Sequence, residues 1–111
     1  MTCGLPYEND SVTGRAMQQV RRKLREQYGK YDILQEVRAM GSVPVCFEPG
    51  TRWLYGYGHD ILSGLITLLS GKPTSQFMRE NIFEPLGMTT TDYRFHDGNE
   101  KKMSRLYQMK D

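Results

Sequence analysis

The sequence has too little of several things to support whole classes of function. It holds two cysteines, Cys3 and Cys46, with neither a Cys-x-x-Cys pair nor a disulfide framework. They read as two free, partly buried thiols in a reducing compartment, which favours the cytoplasm. The two histidines, His59 and His96, stand apart without partner ligands at metal spacing, so no metal site is predicted. A net charge of +2 argues for neither nucleic acid nor an anionic membrane as a partner. No apolar run approaches the roughly 20 residues of a membrane-spanning helix. The N-terminus has no basic region followed by an apolar stretch, so no signal peptide is visible.

What remains is 111 residues, 38% apolar and 25% charged. That is one small globular domain with a modest core.

Its organising stretch runs from Phe47 to Gly71, FEPGTRWLYGYGHDILSGLITLLSG. Pro49-Gly50 marks a turn. Trp53, Leu54, Tyr55 and Tyr57 crowd large side chains into the next segment, leaving little room for residues that face solvent. From Asp60 onward, Ile61, Leu62, Leu65, Ile66, Leu68 and Leu69 recur at helical spacing over more than one face, which predicts a central, buried helix. Asp60 reads as its N-cap, and Gly71 ends it where a left-handed residue is cheapest. Tyr55 therefore sits at the entrance to this helix.

Around that stretch the pattern predicts three further helices. Val12, Ala16, Val20, Leu24 and Tyr28 form one stripe, widened by Met17, over a helix from Val12 or Thr13 to Tyr28. Its other face carries Arg21, Arg22, Lys23 and Arg25, a solvated run diluted by Glu26. Asp32 caps a second helix from about Ile33 to Met40, with Gln35 as its reciprocal partner. Pro73 fits the first turn of a helix reaching about Asn81. Short extended pieces at Tyr93–Phe95 and Leu106-Tyr107 flank a turn at His96–Asn99.

The residues around Tyr55 resemble the serine β-lactamase and penicillin-binding-protein superfamily, and within it the class C β-lactamase-related hydrolases and esterases. There, a Pro-Gly turn leads into a tyrosine motif at the head of a buried helix. Thr2-Cys3-Gly4-Leu5-Pro6-Tyr7 is similar to that family's His-Thr-Ser-Gly-Leu segment, with Met1 for His and Cys3 for Ser. Ile82-Phe83-Glu84-Pro85-Leu86-Gly87-Met88, followed by Thr91, resembles its Pro-Leu-Gly-Met signature. The resemblance implies a mainly α fold, a small helical subdomain of about four helices with long loops, from a β-lactamase-like α plus α/β architecture. Residues 1–111 would form this single lid subdomain.

In that family a serine and lysine in Ser-x-x-Lys carry out acylation. No serine here has a lysine three positions on, and the family's third motif, Lys-Thr-Gly or its His variants, is absent. The expectation is a helical subdomain whose nucleophile-bearing α/β half lies elsewhere. Alone it would be inactive, and it would self-associate or repack over an exposed interdomain face. No cofactor is implied. The substrate class of the whole enzyme would be a small ester, amide or β-lactam.

By the same resemblance Tyr55 matches the second-motif tyrosine, whose role is proton transfer. An unperturbed phenol ionises near roughly pH 10, so such a role needs a nearby cation or relay. The usual motif is Tyr-x-Asn. Tyr57 stands at its third position, where the asparagine would meet substrate, which tilts the reading away from an efficient β-lactamase. Asp60 matches the acid that caps the helix in the esterase-like branch. Cys3 lacks a paired histidine and is rejected as a nucleophile. A different class stays open: a helical binding module that keeps the scaffold and no chemistry.

Overall fold

The computed structural model describes residues 1–8, 10–94, 98 and 107. They form four α-helices with long connections: α1 (Val12–Tyr28), α2 (Ile33–Met40), α3 (Gly58–Ser70) and α4 (Thr74–Met78). A π-helical turn, Arg79–Phe83, continues directly from α4. Among the described residues there is no strand, only an isolated antiparallel bridge between Pro6 and Gly56. The mainly helical class is as the sequence implies. The turn expected at His96–Asn99 and the extended pieces beside it lie largely outside the described residues.

α1 begins where the Ser11 hydroxyl accepts the Gly14 amide proton at 2.9 Å. That is one of the donors that a helix start leaves without an intrahelical partner. Met17 and Leu24 of the expected stripe are buried, while its ends, Val12 and Tyr28, stay exposed. α2 carries the predicted capping box. Asp32 Oδ1 accepts from the Gln35 amide at 2.8 Å, and Gln35 Oε1 accepts from the Asp32 amide at 2.9 Å. Arg21 departs from the solvated-face reading of its basic run. It donates to Glu36 Oε1 through Nε at 2.7 Å and stands within 2.6 Å through a terminal nitrogen, tying α1 to α2.

The core gathers Leu5, Met17, Met40, Val43 and Tyr57, with Val20, Val37 and Ile61 packed against it. Four elements meet there: the N-terminal segment, α1, the end of α2 and the head of α3. α2 packs closely onto α3 because position 64 is glycine. A Cβ there would come within 2.8 Å of Val37 Cγ2. Between α3 and α4, the Thr74 hydroxyl lies 2.9 Å from that of Thr67 and donates to the Ser63 carbonyl at 2.7 Å. Pro73 sits at the cap position before α4 rather than inside its first turn.

The expectation of a buried central helix is corrected. Only Gly64 of α3 is buried, and Leu62 and Leu69 are 54% and 84% exposed. Leu65 and Leu68 are exposed as well. Apolar content shows that a helix face favours burial, but the elements packed here cover only the side around Gly64. Exposed apolar patches beyond a few hundred Å² are uncommon on monomers. The chain is therefore expected to bind a hydrophobic dye and to sediment above its monomer mass. A clean monomer without dye binding contradicts this.

Candidate active site

The segment Trp53–Tyr57 is irregular, with only Gly56 in an isolated bridge to Pro6, and main-chain bonds to the N-terminal segment hold it on both sides of Tyr55. The Leu54 amide donates to the Met1 carbonyl at 2.9 Å, and the Tyr57 amide to the Leu5 carbonyl at 3.0 Å. Between them Gly56 lies against the backbone of Leu5 and Pro6. A Cβ at position 56 would fall 1.9 Å from the Leu5 carbonyl oxygen. Gly56 is thus required by backbone contact, and it brings Tyr7 over the start of α3.

Tyr7 is the centre of a cluster. Its hydroxyl donates to Asp60 Oδ2 at 2.5 Å. Its ring meets Tyr55 edge-on, centroids 5.3 Å apart at 63°, and Tyr57 at 4.5 Å and 68°. These are favourable aromatic geometries. The Arg21 guanidinium lies 4.9 Å from the Tyr57 ring centroid, within cation–π range. A continuous set of contacts therefore runs from Glu36 through Arg21, Tyr57 and Tyr7 to Tyr55 and Asp60.

The electrostatics follow from these contacts. The Tyr7 phenol is pushed up to about 12, chiefly by its hydrogen bond to the Asp60 carboxylate, with burial and the carboxylate's charge adding to it. Burial raises the Tyr57 phenol, partly offset by the Arg21 cation. Burial works against the charge on Arg21, but the Glu36 carboxylate more than compensates and holds the guanidinium above its ordinary value. Tyr7 is thus a proton donor throughout the neutral range.

The three residues singled out in the sequence meet here, in different roles. Tyr55 is 60% exposed and its phenol is accessible. Tyr57 is 3% exposed, belongs to the core and packs its ring against that of Tyr7. Asp60 is not the N-cap. α3 starts at Gly58 with Tyr57 at the cap position, which makes no side-chain cap bond. This leaves Asp60 in the first turn, where a carboxylate complements the helix dipole and accepts the Tyr7 hydrogen bond. Trp53, expected among crowded side chains, is exposed, as is His59 on the first turn of α3. Cys3 and Cys46 are free thiols, and the Cys46 thiol donates to the Thr13 hydroxyl at 3.1 Å. Tyr7 was missed as a site residue. Its partner Asp60 is 53 positions away, and no local pattern links them.

Comparisons with known proteins give the chain a family. The family model for beta-lactamases matches residues 1–111. The chain belongs to the beta-lactamase family. Over 57 residues it is 37% identical to lovastatin esterase of Penicillium rubens, a match covering 51% of this chain and 14% of that protein. It is 29% identical over 58 residues to esterase EstB of Burkholderia gladioli, covering 52% of this chain and 15% of EstB. A third relative, ML-236A carboxylate methylbutanoyltransferase of Penicillium citrinum, is 37% identical over 51 residues, 46% of this chain and 12% of the transferase. The matched stretches thus span about one seventh of these much longer relatives. No solved structure matches the chain. Membership of this beta-lactamase family, with esterases among the relatives, supports a function related to serine hydrolysis.

Proposed function

We propose that this chain is the helical subdomain of a beta-lactamase-family serine hydrolase and supplies Tyr55 as its proton-transfer group. The nucleophile-bearing half, with its Ser-x-x-Lys, belongs to another part of the enzyme and docks over the exposed leucines of α3. In that assembly the serine hydroxyl attacks the substrate carbonyl. Tyr55, acting as the phenolate paired with the lysine's positive charge, takes the serine proton and delivers it to the departing alcohol or amine. Water then attacks the acyl-enzyme, and its proton returns to the serine along the same route.

The observation that carries this reading is the contrast between two neighbouring tyrosines. Tyr55 presents its phenol to solvent at the head of α3, while Tyr57 is buried in the core. Burial also changes the role proposed for Tyr57, which now supports the site from beneath instead of touching substrate. Without the asparagine of Tyr-x-Asn, an ester is the favoured substrate over a β-lactam, in keeping with the esterases among the relatives. The methylbutanoyltransferase relative favours a second reading, in which an alcohol instead of water intercepts the acyl-enzyme.

The chain alone lacks an acylation step, since a lone tyrosine cannot substitute for the serine–lysine pair. Incubated with a chromogenic β-lactam and with a short-chain nitrophenyl ester, it is expected to show no turnover and no mass adduct. A stoichiometric acyl adduct on any of its residues contradicts the assignment.

A further inference from the structure

We propose that Tyr7 and Asp60 are positioning residues for Tyr55, Asp60 fixing the Tyr7 hydroxyl and the Tyr7 ring fixing the direction of the Tyr55 phenol. The inference rests on the catalytic reading of Tyr55 and adds to it the means by which an exposed side chain on an irregular segment keeps one orientation.

Main-chain bonds at Leu54 and Tyr57 secure the backbone on either side of Tyr55, so its remaining freedom is in its side-chain torsions. An exposed tyrosine samples several staggered rotamers. Proton transfer needs one of them, with the hydroxyl within hydrogen-bond reach of its partner. Tyr7 restricts the choice by placing its ring against Tyr55 at 5.3 Å. Tyr7 itself is held at both ends. Its hydroxyl is bound to Asp60 Oδ2 on the first turn of α3, and its ring rests on the buried Tyr57, which Arg21 covers. Asp60 thus acts on Tyr55 through Tyr7, and the pair links the tyrosine's direction to the start of the helix. The bond also persists across the neutral range, because the carboxylate keeps the Tyr7 phenol protonated to about 12.

The test uses the 111-residue chain labelled with carbon-13 on its tyrosine rings, with the Tyr55 resonance assigned by its disappearance in Tyr55→Phe. In the wild-type chain the Tyr7 ring current displaces that resonance from its position in a short unstructured peptide. Tyr7→Phe, which keeps the ring and removes the hydroxyl, and Asp60→Ala, which removes the acceptor, are both expected to move it back toward that position. The Tyr57 resonance stays in place. Asp60→Asn, which keeps an acceptor oxygen, restores the Tyr55 resonance toward its wild-type position. In the complete enzyme, Tyr7→Phe lowers kcat by about 10- to 100-fold with KM unchanged, the pattern of a misdirected group. A Tyr55 resonance that ignores both substitutions, or moves only in step with Tyr57, overturns the proposal. The catalytic reading fails separately. Full turnover in Tyr55→Phe removes that reading, whatever the resonances show.

Discussion

Gly56→Ala lowers the thermal midpoint of the chain by roughly 10 °C or more, an effect of at least about 3 kcal/mol in a domain of this size. The added methyl would lie 1.9 Å from the Leu5 carbonyl oxygen and 2.8 Å from Pro6 Cα. Both are backbone atoms, so no rotamer change relieves the overlap. Relief requires the N-terminal segment to lift away. That movement breaks the Tyr57–Leu5 main-chain bond and takes Leu5 out of the core and Tyr7 off Asp60. Gly64→Ala is the informative comparison, because its methyl would meet only the side chain of Val37 at 2.8 Å. Repacking one valine costs less than displacing a segment. Urea or thermal unfolding of both variants measures the difference. A Gly56→Ala chain as stable as the wild type would mean that the N-terminal segment is not held against the Tyr55 loop.

The same comparison shows which parts of the structure were legible in the sequence. α1 and α2 were, because their signals are local: apolar spacing, and at α2 the Asp32–Gln35 pair three residues apart. The sequence places the cap of α3 three residues too late, at Asp60 instead of Tyr57. Asp60 has the chemistry of a cap, but the helix start is set by the Leu5 and Pro6 backbone, more than 50 positions away in the chain. The partnership of Tyr7 with Asp60 is hidden for the same reason, the two lying 53 positions apart. The burial of α3 was overestimated because periodicity reports which face favours a partner and not whether one is packed there. Of the candidate site, the place of Tyr55 before the apolar helix is legible. The division of roles was not. Tyr55 and Tyr57 are chemically identical in the sequence, and only packing against Met17, Met40 and Val43 makes one of them core.

That division leads to the substitution with the largest expected effect on activity. Tyr55→Phe removes one hydroxyl from an exposed ring, so the stability of the protein should change little. In the complete enzyme, turnover should fall by roughly 10²- to 10⁴-fold, as for other general acid–base groups. Tyr57→Phe makes the same chemical change on a ring that is 3% exposed. It should leave turnover within a few-fold of wild type, with any loss tracking stability. If both tyrosines were only packing residues, neither substitution would change the rate beyond its effect on folding. The most direct measurement is therefore kcat of the complete enzyme for a nitrophenyl ester in the wild type, Tyr55→Phe and Tyr57→Phe, alongside their melting temperatures. A collapse of kcat in Tyr55→Phe alone, at unchanged melting temperature, is the expected result. Near-wild-type turnover in Tyr55→Phe would contradict it.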